Sequence, residues 1–162
     1  MSFQIIVTTQ DKFVELVKLF DSLIDQNEVI EVIFVNQTGI DLSEFYQFSA
    51  DADLFSIIEI KSPKCSLSKA RNKALTHIRP NNIVAFADDD CWYSPNLLGE
   101  VATAFREHDF NCVCVNVFDP GRNKYLGDRP TGRKKVGLRN IFSLPISKIT
   151  NNFFRLKITS WI

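Results

Sequence analysis

Neither sign of charge dominates this chain, since nineteen Lys and Arg stand against nineteen Asp and Glu in 162 residues. A nucleic-acid-binding domain is expected to carry a basic footprint, so that class is set aside. Nor is there an apolar run of about 18 residues to cross a bilayer. Gln4 and Asp11 interrupt the opening stretch before it can form the apolar core of a leader. The expectation is a cytoplasmic protein. Six glycines and six prolines are too few for a low-complexity chain, whereas 45% hydrophobic residues with fourteen phenylalanines are ample for a packed core. The four cysteines, at 65, 91, 112 and 114, lack the Cys-x-x-Cys spacing of a zinc framework and read as buried free thiols. His77 and His108 lie far apart and receive no role.

What the chain does have is a run of three carboxylates, Asp88, Asp89 and Asp90, directly after Asn82-Ile83-Val84-Ala85-Phe86-Ala87. That apolar run has strand length without polar alternation, so it reads as a strand buried on both faces. On an extended backbone Asp88 and Asp90 point to one side and Asp89 to the other. At a separation of about 6–7 Å and an effective dielectric of about 20, the repulsion between Asp88 and Asp90 is about 2–3 kcal/mol. Something positive is expected to offset it, and a divalent cation carrying a diphosphate on its open positions meets the need.

Upstream, Leu67, Ala70, Ala74, Leu75 and Ile78 fall on one helical face and leave Arg71 and Asn72 off it. Downstream, Ser94-Pro95 reads as a helix start, with the serine as N-cap and Leu97, Leu98, Val101, Ala102 and Phe105 as the buried face. Earlier in the chain, Phe3–Thr8 is a strand, Asp11–Gln26 a helix and Val32–Val35 a second strand, which makes a βαβ unit. Such a unit implies a parallel sheet with its ligand crevice at the carboxyl ends of the strands, where Thr8, Thr9, Asn36 and Gln37 lie. Asp41–Ser49 reads as a short helix, Phe55–Ile60 as a third strand and Cys112–Phe118 as a further one, followed by the Asp119-Pro120-Gly121-Arg122 turn.

The segments Leu67-Ser68-Lys69-Ala70-Arg71-Asn72 and Asp88-Asp89-Asp90-Cys91-Trp92-Tyr93-Ser94-Pro95, in this order around a strand, resemble the nucleotide-sugar-binding half of a family 2 glycosyltransferase with the GT-A fold. The resemblance covers nearly the whole chain but only the front part of such an enzyme. It implies an α/β fold, a GT-A-like and Rossmann-like sheet, mostly parallel and flanked by helices, truncated at its C-terminal side. One domain would span 1–162, with a βα core over 1–118 and the start of an acceptor-side region over 119–162.

The resemblance further implies that Thr8, Thr9, Asn36, Gln37, Arg71, Asp88 and Asp89 surround the nucleotide, while Asp88 and Asp90 hold Mn²⁺ or Mg²⁺. Where the family commonly has a carboxylate after the second strand, this chain has Asn36, an amide that both donates and accepts and so can hydrogen-bond a base edge. The implied partners are a nucleotide-sugar donor and a glycan or glycoconjugate acceptor, as in polysaccharide synthesis. Arg133-Lys134-Lys135 offers charge to a diphosphate, an acidic acceptor or the cytoplasmic face of a membrane, although a solvated loop is the favoured reading.

The family's general base is a carboxylate well downstream, and no Asp or Glu follows Asp128, so the catalytic base is left unassigned. The chain ends in Ser160-Trp161-Ile162, apolar where domain ends tend to be polar. The expectation is a fragment or a subunit that a partner chain completes. Two alternatives stand beside the transferase. One is a nucleotide-binding module without turnover. The other is a Mg²⁺-dependent phosphotransfer domain, which fits less well because Cys91-Trp92-Tyr93 follows Asp90 where a threonine is wanted.

Overall fold

The computed structural model describes residues 1–41, 54–119, 124–126 and 153–161. They divide into two compact units, Met1–Pro95 and Asn96–Ile162. The expected helix over Asp41–Ser49, the Arg133-Lys134-Lys135 run and Asp128 fall outside the described residues.

The first unit is built on strand β1 (Ser2–Thr9), whose residues from Phe3 to Thr9 are all buried. On one side of it lie β2 (Val29–Asn36) and then β3 (Phe55–Lys61), and on the other β4 (Ile83–Ala87), all parallel, in the order β3-β2-β1-β4. Helix α1 (Phe13–Ile24) carries the chain from β1 to β2, and α2 (Leu67–Leu75) carries it from β3 across to β4. The two crossovers run in opposite directions from the middle of the sheet. The gap between the ends of β1 and β4 is therefore the topological switch point, where open α/β sheets place their ligands.

Register assigns each side chain to a face. Ile6 pairs with Ile33 on one side and Phe86 on the other, so these three share a face, and Val35 lies on it two residues beyond Ile33. Ala70 and Ala74 of α2 pack there against Ile6, Ile33 and Val35, and their small side chains let the helix approach closely. Phe34 points the opposite way and meets Phe20 of α1 edge-on, with ring centroids 5.6 Å apart. Leu16, Leu19 and Leu23 complete the buried stripe of α1. Helices thus cover both faces, which is why β1 and β2 read as continuous apolar runs.

One polar residue interrupts the run of β1, and it is fully satisfied. Buried Gln4 donates to Glu31 (2.6 Å) and to the His77 carbonyl (3.1 Å), and accepts from the Arg79 N–H (2.7 Å). It fixes the turn between α2 and β4 from below.

Three expectations are corrected. The β4 strand is not buried on both faces, since Phe86 is 51% exposed. It is the last strand of this four-stranded sheet, and α2 lies over β1 and β2. Leu67 and Leu75, placed on the core stripe of α2 by periodicity, are exposed, because a helix of nine residues sits on the sheet by its two alanines alone. Ser94 and Pro95 do not start the next helix. The cap is Asn96, in the left-handed conformation that asparagine tolerates (φ 62°).

In the second unit, α3 (Leu97–Glu107) buries Leu97, Leu98, Val101, Ala102 and Ala104, close to the expected face. Strand β5 (Cys112–Asp119) pairs antiparallel with β6 (Lys124–Leu126) and parallel with β7 (Phe153–Trp161), with an irregularity between Cys114 and Asn116. The four thiols are free but only half-buried. No helix among the described residues is long and apolar enough to cross a membrane.

Candidate functional site

The carboxyl end of β1 joins the loops that meet at the switch point. The Thr9 carbonyl accepts from the Gln37 N–H (3.0 Å), and its hydroxyl accepts from the Lys12 N–H (3.4 Å) at the start of α1. The same hydroxyl lies beside the Asp89 carboxylate. Register explains the last contact. The β1–β4 pairing ends at Val7 and Ala87, so Thr8, Thr9 and the three acids follow directly at the carboxyl ends of the two strands.

The three carboxylates do not alternate as an extended strand would have them. The Cys91 N–H reaches back to the Asp88 carbonyl (3.4 Å) and the Cys91 thiol donates to it (3.0 Å), so Asp88 to Cys91 form a turn with Asp89 and Asp90 at its centre. Each acid consequently has its own partner. Asp88 accepts from Arg71 Nη2 (2.9 Å), Asp89 faces Thr9, and Asp90 forms an ion pair with Lys12 Nζ. The positive charge that the sequence demands beside Asp88 and Asp90 comes from two side chains.

Arg71 is held twice. Its guanidinium lies over the Phe86 ring, 5.3 Å from the centroid, while its Nε, buried, has no hydrogen-bond partner. The exposed Phe86 is thus the platform for Arg71, one turn of strand before Asp88.

Burial raises the Asp89 pKa above the usual carboxylate range, against the pull of the Thr9 hydroxyl and the Lys12 charge. Burial also pushes the Cys91 thiol up to about 11, helped by the surrounding carboxylates. Lys12 is raised by its bond to Asp90. Three carboxylates thus face two cations in the crevice, two of the acids paired and the third held by burial toward its neutral form.

The floor is set by two amides. Gln37, 3% exposed, accepts from the Cys65 N–H (2.8 Å) and thiol (3.2 Å), and Gln10 donates to the Cys65 carbonyl (2.9 Å). Asn36, also 3% exposed, donates to Glu59 (2.7 Å) and to the Ile40 carbonyl (2.9 Å). Its oxygen accepts from the Thr38 N–H (3.0 Å) and hydroxyl (2.7 Å). Every hydrogen-bonding position of the Asn36 amide is taken within the protein. It shapes the loop after β2 and presents no free edge to a base.

Of the sequence-derived site residues, Thr8, Thr9, Arg71, Asp88, Asp89 and Asp90 gather at the β1–β4 gap, and Asn36 and Gln37 lie at the neighbouring end of β2. Sequence reasoning missed Lys12, Gln10 and Cys65. The available signal for Lys12 was a cation three residues past a strand end at the start of a helix. A cavity of about 520 Å³ along α3, lined by Gly99, Thr103, Arg106 and His108, holds none of these residues.

A profile described as glycosyl transferase family 2 matches residues 4–159. The chain belongs to glycosyl transferase family 2. Solved structures agree on the fold of this family 2 chain. A structure of S. aureus TarS residues 1–349 is 21% identical with a TM-score of 0.64, covering 74% of this chain and 36% of that one. The same protein in complex with UDP-GlcNAc is 19% identical with a TM-score of 0.63, over 83% of this chain and 38% of that one. Its complex with UDP gives the same identity and score, over 83% and 39%. This family 2 chain thus spans little more than a third of the TarS 1–349 chains it matches. No curated protein sequence matches it.

Proposed function

We propose that the chain binds a nucleotide-diphosphate sugar at the β1–β4 gap, for transfer of the sugar to a glycan or glycoconjugate acceptor. The observation that carries this reading is the placement of Asp88, Asp89 and Asp90 at the switch point of a family 2 sheet, with Arg71 and Lys12 facing them. TarS, similar in fold, has been solved with UDP-GlcNAc and with UDP, which supports a nucleotide-sugar donor.

Among the described residues no three His, Cys, Asp or Glu side chains converge on one point. Mg²⁺ and Mn²⁺ need no such cage, because one or two carboxylates suffice when phosphate oxygens and water complete the shell. Asp90 and Asp88 are hard oxygen donors with side chains 43% and 71% exposed, so the donor set fits an ion that arrives with a diphosphate. Bound there, the ion would neutralise charge on the leaving diphosphate. Arg71 offers its planar fork to the nucleotide from its Phe86 platform. Thr8 and Thr9 wall the nucleotide pocket, and Asn36 and Gln37 hold its loops in shape.

Calorimetric titration with UDP, GDP and dTDP, with and without Mn²⁺, tests the reading. Metal-dependent binding of one nucleotide, lost in Asp90→Ala, is expected. Absence of binding by all three overturns it.

A further inference from the structure

Lys12 breaks two local rules. It occupies the N-cap of α1 with no side-chain capping hydrogen bond, where Ser, Thr, Asp and Asn are preferred. It also places a cation at the positive end of a helix macrodipole. Such conflicts between local preference and position are expected at functional sites. The compensation comes from 78 residues away, where Asp90 receives its ammonium, with the Asp89 and Glu15 carboxylates adding attraction. Both partners are nearly half exposed, at 44% and 43%, so the pair can open without unpacking the core.

We infer that Lys12 is an internal counter-ion standing where a divalent cation would sit on Asp90, so that the Lys12–Asp90 pair and cation binding exclude each other. The inference rests on the proposed metal role of Asp90. An ammonium has no lone pair and cannot join the coordination shell, and it repels a dication placed on the same carboxylate. Arg71 differs, because stacking on Phe86 holds it independently of Asp88. Lys12 has a flexible four-carbon stem and swings away when its partner is taken. The pair keeps Asp90 neutralised until a cation or a cation–diphosphate complex arrives.

The test is Mn²⁺ titration of the full chain, alone and with UDP, read by the paramagnetic resonance of free Mn²⁺. It is run on wild type, Lys12→Met, Lys12→Arg and Asp90→Asn. Lys12→Met is expected to bind Mn²⁺ roughly two- to fivefold more tightly, the equivalent of a partly exposed ion pair. Lys12→Arg, whose fork grips a carboxylate better, is expected to bind more weakly, and Asp90→Asn to lose the site. In wild type, acylation of Lys12 followed by mass spectrometry is expected to rise several-fold on Mn²⁺ saturation. If Mn²⁺ binds through Asp90 but Lys12→Met does not tighten it, or Lys12 acylation does not change, the inference is overturned and the metal reading stands. If no protein shows Asp90-dependent Mn²⁺ binding, either alone or with UDP, the metal reading itself is overturned and this inference with it.

Discussion

Replacing Asn36 by alanine separates a residue that reads the base from one that shapes the loop. The amide is 3% exposed and makes four hydrogen bonds, one of them to the Glu59 carboxylate at 2.7 Å. A hydrogen bond to a charged group contributes about 1.5–3 kcal/mol, and a neutral one about 0.5–1.5 kcal/mol. The other partners, Thr38 and Ile40, lie near the surface where water can replace the amide. The net cost is therefore dominated by Glu59, at about 2–3 kcal/mol. With a urea slope of about 1–3 kcal/mol/M, the midpoint of unfolding falls by roughly 0.7–3 M. Circular dichroism in urea measures it, alongside titration of the folded variant with UDP and GDP. A structural Asn36 predicts that affinity for both nucleotides falls by a similar factor. A stability within about 0.5 kcal/mol of wild type, together with a changed preference between the two bases, would refute the reasoning.

Other outcomes follow from the same geometry. Asp89 has a raised pKa in the folded chain, so the fold favours its protonated form, and that favourable contribution is lost as pH rises through the raised value. Asp89→Asn, which keeps an acceptor oxygen beside Thr9, is expected to be more stable than wild type at pH 7, with the gap closing below the ordinary carboxylate pKa of 3.8. Urea midpoints across pH 3–7 check the sign, and a gap that widens in acid contradicts it. Ala74→Leu forces a large side chain between α2 and the sheet at a position with no exposure, and is expected to cost about 1–3 kcal/mol. The exposed Leu75→Ala beside it is expected to change stability by less than about 0.5 kcal/mol, and equal effects in the two would mean that α2 packs by another face.

Most of the scaffold was legible because its signals are local. Apolar runs marked strands β1, β2 and β4, and the expected helix over Asp11–Gln26 is α1, shortened to Phe13–Ile24. The α2 stripe failed in part because periodicity reports which residues align and not how wide the contact is. A helix seated on Ala70 and Ala74 leaves Leu67 and Leu75 at its margins. Phe86 was misjudged because its hydrophobicity said core, whereas its neighbour is the stacked guanidinium of Arg71.

The sequence by itself determined the order of strands and helices, the acids at the end of β4, and the need for positive charge beside them. Those properties reside in composition and spacing along short stretches. Which cation meets which acid was decided by the tertiary structure. The turn at Asp88 to Cys91 separates the three carboxylates, the parallel pairing of β1 with β4 brings the acids to the strand end that carries Thr9, and the crossover topology brings Lys12 to Asp90 across 78 residues. Likewise, Asn36 is an open amide in the sequence and a closed one in the fold, because Glu59 reaches it only when β3 pairs with β2. Partners that meet through strand pairing and crossover leave no periodic trace in the chain, and only the folded sheet reveals them.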